Sequence, residues 1–312
     1  MRTMQRFFTA PCLGLEITSK VLRLSVLAGS GRNASLLASK SAQMPAGVVN
    51  ESFASRNIRD QEGLTSLIQT ALREDVPRSL RRAGLSLPDG VFRVQTLEFD
   101  ELPPGAKDRE RLIRWRLEKG AAFDTSNTIL RYQVLPRQDK GFSVLACVAK
   151  QEVIEQYEEL LTALGFEPWL VGPSSFNAVN FYASSIAQRG VRGYALVWIT
   201  DTTSATVVWD RGGPRFYRSK EFRAGAPEEA VTRLQRELDD SLHFYMHMDR
   251  QQQTEVGHLF LDGDSAALAP LAQAMTEATN LTVEILSPAV VLSSAGADAA
   301  AMAAAFGAGG GG

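Results

Sequence analysis

Along the chain, short runs of alternating or continuous apolar residues are separated by glycine and polar turns. Between them lie segments whose apolar residues recur every third or fourth position, a mixture that predicts strands and helices in alternation. The run LGLEITSKVLRLSVL opens at Leu13, and ALVWITDTTSATVVW opens at Ala195, an offset of 182 residues. At that offset Ile17-Thr18 falls on Ile199-Thr200, and the Gly29-Ser30-Gly31 turn lies against Arg211-Gly212-Gly213. Each copy reads as strand, polar turn, strand, glycine-containing hairpin turn and strand. Two copies predict two related domains in tandem, not a solenoid.

Each copy is followed by helix. After the first, Leu64, Leu67, Ile68, Ala71 and Leu72 share one helical face. After the second, Glu228 to Asp249 carries Val231, Leu234, Leu238, Leu242, Tyr245 and Met248 in one apolar stripe, the clearest amphipathic helix in the chain. Between the copies stands a different module, roughly Pro88 to Phe166. It begins with a strand from Val91, passes through Pro103-Pro104-Gly105 and enters a helix that stops at Gly120. A strand from Leu130 follows, with Leu130, Tyr132 and Val134 inward. Then come an apolar run from Phe142 and a helix closed by Gly165. This block predicts a small α+β subdomain inserted in the first lobe. Beyond Ala295 the chain is almost all Ala and Gly, which predicts a short helix near Ala299 to Phe306 and a flexible tail over 307–312.

Composition narrows the function. In 312 residues, 33 Lys and Arg face 35 Asp and Glu, a net charge of −2 that gives no electrostatic footprint for nucleic acid. The 45% hydrophobic and 22% charged content is that of a globular protein with a sizeable core. Two cysteines, Cys12 and Cys147, cannot form a disulfide framework and read as buried, reduced thiols of a cytosolic protein. No run reaches the ~18 apolar residues of a membrane span. Pro11 and Glu16 interrupt the N-terminal apolar stretch, which argues against a secretory signal. There is no Gly-x-Ser-x-Gly elbow, phosphate-binding P-loop, CxxC pair or dinucleotide glycine fingerprint. His243 and His247 stand one turn apart on a helix. Phe244 occupies the place of the metalloprotease glutamate, so an ordinary helix face is the better reading. His258, alone before a strand, reads as structural. The arginines at 78, 81 and 82, and those at 109, 111, 114 and 116 around Trp115, read first as a solvated face. A partner surface is the alternative.

The stretches LGLEITSKVLRLSVL, LPDGVFRVQTLEFDELP, RLEKGAAFDTSNTILRYQVL, VLACVAKQEVIEQYEELLTALGFEPWLV, RELDDSLHFY and HLFLDGDSAALAPLAQAM, in that order, resemble the PilM family of type IV pilus assembly, within the actin-like ATPase superfamily. The resemblance implies an actin-like, ribonuclease H-like, duplicated two-lobed α/β fold. The first lobe would span 1–190, with the insertion at about 88–166, and the second 191–306. It also implies a cleft for ATP and Mg²⁺ formed by two phosphate hairpins and an adenosine segment. The implied role is a cytoplasmic adaptor, peripheral to the inner membrane, that docks the N-terminal tail of a membrane-anchored, PilN-like protein and links the platform to the motor. The alternatives are an ATP-binding or ATP-hydrolysing actin-like switch and the related component of a type II secretion platform.

Against the family pattern the cleft positions are altered. The first hairpin reads Glu16-Ile17-Thr18-Ser19-Lys20, with the acid lengthened and the glycine gone. The second reads Trp198-Ile199-Thr200, with Asp201 three residues beyond the expected acid. In the adenosine segment, Gly263 is followed by Asp264 where the family has a second glycine. The resemblance therefore places a degenerate nucleotide cleft at Glu16, Ser19, Lys20, Thr202, Thr203, Gly263 and Asp264, with weak or absent nucleotide binding and no catalytic or metal-binding residue. Lys20, Thr202 and Thr203 are the side chains that could offer compensating phosphate contacts.

Overall fold

The computed structural model describes residues 12–28, 35–72, 80–120, 124–136, 140–210, 213–222, 227–247, 255–291 and 304–305. The turns at Gly29 and Arg211, Arg78, Met248, the Ala/Gly stretch apart from 304–305, and the tail 307–312 lie outside them. Strands β1 (Cys12–Ile17), β2 (Val21–Ala28), β3 (Ser35–Gln43), β4 (Arg82–Leu87) and β8 (Glu167–Pro173) form one sheet in the order β3-β2-β1-β4-β8. Strands β9 (Tyr194–Thr200), β10 (Thr203–Asp210), β11 (Gly213–Glu221), β12 (His258–Asp264) and β13 (Thr282–Ile285) form a second, in the order β11-β10-β9-β12-β13. Both sheets are an antiparallel three-strand meander joined to two parallel strands, so the internal repeat is a repeated topology. The 182-residue offset carries Val21–Ala28 onto Thr203–Asp210, the observed limits of β2 and β10.

Helices fill the faces. Alternation on β1 and β2 turns Leu13, Leu15, Ile17, Leu22, Leu24 and Val26 into the first core, where α1 (Gln61–Leu72) packs through Leu64 and Ile68. In the second lobe α5 (Pro227–His247) and α6 (Leu268–Ala278) cover the face that carries Ala195, Val197 and Ile199. The stripe on α5 is as the periodicity predicts: Leu234, Leu238, Leu242 and Tyr245 are buried. The other face of that sheet packs on α4 (Ser174–Gln188), which buries Ala178, Val179, Tyr182 and Ile186 against Leu196, Trp198, Val207 and Phe260.

The intervening module has a three-stranded sheet in the order β5-β7-β6, from β5 (Arg93–Phe99), β6 (Thr128–Pro136) and β7 (Phe142–Lys150). Its core forms with Ile113 and Leu117 of α2 (Ala106–Gly120). Two elements differ from the expectation. Residues Asp89–Val91 form a 3₁₀ turn, so the first strand begins at Arg93. The helix closed by Gly165, α3 (Gln151–Ala163), buries Val153, Ile154, Tyr157, Leu160 and Leu161 in the first-lobe core, not in that of the insertion. An apolar stripe shows that a helix packs, not against which sheet. Both cysteines are half-buried, and burial pushes their thiols up, Cys12 to about 11 and Cys147 to about 12, so neither is a reactive thiolate.

Candidate functional site: the cleft between the two sheets

The two hairpin turns that open onto the cleft are built alike. A threonine stands at the end of the first strand of each, Thr18 just after β1 and Thr200 last in β9, and its hydroxyl turns back onto the turn's own amides. Thr18 Oγ1 accepts from the N–H of Lys20 at 3.1 Å and of Val21 at 2.9 Å. Thr200 Oγ1 accepts from Thr202 N–H at 3.3 Å and Thr203 N–H at 3.0 Å, and it shares a 2.8 Å bond with the Thr203 hydroxyl. The Ser19 amide donates to Glu51 Oε1 at 2.7 Å. A turn cradles phosphate only with amides free to point at it. In both turns these amides already have acceptors.

Side chains cross the space between the turns. Lys20 Nζ on the first hairpin bonds Asp201 Oδ2 on the second at 2.8 Å, and both side chains are more than half exposed. Deeper, Arg23 of β2 stands directly opposite Glu16 of β1 in the antiparallel register. Its Nη1 lies 2.9 Å from Glu16 Oε2, and its Nη2 bonds Asp264 Oδ2 from β12 of the other sheet. Burial pushes the Glu16 carboxyl up from its ordinary range, with Arg23 opposing. Burial alone would lower the Arg23 guanidinium, but Glu16 and Asp264 override it and hold the group charged.

The N-terminus of α4 faces the same region, and a helix N-terminus favours negative charge. Carboxylates of the chain itself supply that charge. Ser174 Oγ lies 3.3 Å from Glu16 Oε1 and 2.9 Å from Ser86 Oγ. Asp89 accepts from the Ser175 amide at 3.2 Å, from the Ser175 hydroxyl, and from Tyr217 Oη of β11 at 2.8 Å. Its burial pushes the Asp89 carboxyl up, against those hydrogen bonds.

The adenosine segment is shaped by Gly263. Its φ is +136°, and a Cβ there would overlap the Ile199 carbonyl oxygen, so β12 approaches β9 more closely than any side chain permits. On either side of it stand Asp262, buried, and Asp264, half exposed. Asp262 Oδ1 accepts from the Gly263 amide at 2.7 Å, and the buried Tyr182 hydroxyl acts on the same carboxyl. Burial pushes the Asp262 carboxyl up to about 7.

Six of the seven residues expected around the cleft, Glu16, Ser19, Lys20, Thr202, Thr203 and Asp264, line one cavity of about 90 Å³. Gly263 shapes it from behind. Known small-molecule sites run to ~300–1,000 Å³. Among the described residues no group of three His, Cys, Asp or Glu is arranged to hold a metal ion. With its amides capped, its lysine paired and a guanidinium between the acids, the cleft in this arrangement does not fit a magnesium nucleotide.

Trp198 lines the same cavity from beneath. Only 2% exposed, it is part of the core under α4, where the pair Trp198–Ala205 takes the register place that Glu16–Arg23 takes in the first sheet. Lys20 Nζ is paired with Asp201 at the exposed mouth of the cleft. Arg23, the residue at the centre, was not picked out by sequence reasoning. Its signal is a charge on the strand face opposite Leu22, Leu24 and Val26 of VLRLSVL, across a short hairpin from an acid. Elsewhere, His243 and His247 stack on an exposed helix turn, and His258 packs beside Phe260 at the start of β12. Of the α2 arginines, Arg114 is structural, bonding Glu110, the Thr125 carbonyl and Thr128.

No protein-family model matches the chain, and no curated protein is similar to it in sequence. Solved structures are. A chain of the PilM–PilN type IV pilus biogenesis complex superposes with a TM-score of 0.80 at 19% identity, over 96% of this chain and 98% of that one. A Bacteroides thetaiotaomicron protein with an actin-like ATPase fold and unknown function gives a TM-score of 0.51 at 14% identity, over 92% and 94%. The cytoplasmic domain of EpsL, an inner-membrane component of the Vibrio cholerae type II secretion system, gives 0.45 at 13% identity, over 81% and 82%. The chain has the actin-like ATPase fold.

Proposed function

We propose that this protein is a cytoplasmic actin-like adaptor of type IV pilus assembly that works without nucleotide. It docks the N-terminal tail of a membrane-anchored, PilN-like protein and links the inner-membrane platform to the motor. The observation that carries the reading is the cleft: the phosphate-facing amides, the lysine and the acids of an actin-like site are all engaged by other groups of the same chain. A protein so built keeps the two-lobed scaffold as a docking surface and gives up the chemistry. Likeness to PilM over nearly the whole chain, in a structure of its complex with PilN, supports the choice of partner. No helix among the described residues is long and apolar enough to cross a membrane, consistent with recruitment through that partner.

The test is a titration of nucleotide-stripped protein with a synthetic peptide of the cytoplasmic tail of the PilN-like protein from the same genome, with and without Mg-ATP. Equal affinity in the two conditions is expected. Binding that requires Mg-ATP, or no binding at all, would overturn the proposal.

A further inference from the structure

Arg23 is bonded to both halves of the molecule. It projects from β2, is 6% exposed, and its two terminal nitrogens go to different sheets, Nη1 to Glu16 beside it and Nη2 to Asp264 across the cleft. The planar fork of a guanidinium can hold two carboxylates in fixed directions at once, which an ammonium cannot do as well. Both acceptors are set from behind. The Ser174 hydroxyl at the start of α4 steadies Glu16, and the left-handed backbone at Gly263, wedged against Ile199, sets where Asp264 projects. The chain thus supplies a positive charge of its own between the acids of the two sheets.

We infer that Arg23 is a built-in counter-ion that cross-links the two lobes, taking the place of a metal nucleotide and holding the cleft closed at all times. This inference rests on the nucleotide-independent reading and deepens it, because a closed cleft would hold any docking surface that spans the lobes in one shape. Other ties accompany it, among them Ser25 Oγ to the Ala305 carbonyl at 3.1 Å. Lys20–Asp201 at the mouth is open to water and salt, so it adds little. Tyr217 to Asp89 joins β11 to the turn before β5. The Arg23 tie differs from Lys20–Asp201 in having one buried end: the guanidinium is 7% exposed while Asp264 is half exposed, so salt weakens it less than the rim pair.

Pulsed electron–electron distance measurements test this. Nitroxides are placed through Glu62→Cys on α1 and Gln273→Cys on α6, both exposed, in a background with Cys12 and Cys147 replaced by Ala. The parent protein should give one narrow distance distribution, unmoved by Mg-ATP and by about 1 M NaCl. Asp264→Ala, which removes only the bond across the cleft from a half-exposed position, should add a second population at longer distance, as should Arg23→Ala. Lys20→Ala should not. A distribution in Asp264→Ala that matches the parent would overturn the latch, since α4 packing and Tyr217–Asp89 would then suffice. If Arg23→Ala fails to fold, Asp264→Ala and Arg23→Lys carry the test. A parent distance that moves with Mg-ATP, while Asp264→Ala still opens, would instead overturn the nucleotide-independent function, which separates the two failures.

Discussion

Thr18 and Thr200 show how one atom can occupy the amides of a turn. A glycine in either position would leave the next amides open; a threonine hydroxyl accepts from two of them. Replacing each with Val keeps the shape and removes the acceptor, and should cost about 1 kcal/mol per turn in denaturant unfolding. Trp198 behaves differently. Trp198→Asp with Thr200→Gly looks on sequence grounds like a restoration of the site. In the structure, however, the change would remove a core aromatic packed with Leu196, Val207 and Phe260 and set a charge against them at the floor of the cavity. The double variant should lose about 3 kcal/mol or more of stability and gain no nucleotide affinity. Any gain in a titration would contradict this account of the second hairpin. Asp262 gives a pH signature. Its carboxyl is pushed by burial from an ordinary 3.8 to about 7, so between these values the folded state holds a proton that the unfolded state releases. Stability from this group is fully present below pH 3.8 and is lost as the pH rises through 7. Asp262→Asn should flatten the fall of melting temperature across that window and raise it at pH 8. Parallel curves for the two proteins would show that Asp262 is not the group responsible.

At the scale of elements, the Gly263 crossing and the α2 arginines make opposite predictions. Gly263→Ala forces a side chain into the Ile199 backbone at a left-handed φ, and it should destabilise by about 3 kcal/mol or more. On α2, Arg114 ties the helix to the start of β6, so Arg114→Ala should cost about 1–3 kcal/mol. Arg116 points to solvent, and Arg116→Glu should leave stability within about 0.5 kcal/mol. Only the Arg116 change is therefore a clean probe of partner capture by this helix. The hairpin meanders of both lobes were legible in the sequence, because strand alternation and turn chemistry are local and occur twice. Strand β4 was not. Its Ala83, Leu85 and Leu87 are too short a pattern to stand out, and Arg81 and Arg82 before them suggested a charged patch instead. Strand β8 and helix α4 were missed for a related reason: they are defined by what they pack on, and α4 crosses from the first lobe to the second sheet. The altered cleft residues could be named from resemblance, but what replaced their chemistry could not. Asp264 lies 241 residues from Arg23, and nothing local pairs them.

For the whole molecule, two sheets share one topology and differ in content at the equivalent place. The first sheet keeps a charged pair, Glu16–Arg23, where the second has Trp198–Ala205. The charged pair reaches across to Asp264, and the apolar one anchors α4 beneath it. Sheet, helix and cleft are thereby one connected unit, suited to presenting a constant surface to a partner. The most direct test of that account is a calorimetric titration of the nucleotide-stripped protein with Mg-ATP, with melting temperature followed in parallel. The account predicts no heat of binding and no rise in melting temperature at millimolar nucleotide. A dissociation constant in the low micromolar range, on the order of −8 kcal/mol, would contradict it and return the cleft to the nucleotide switches.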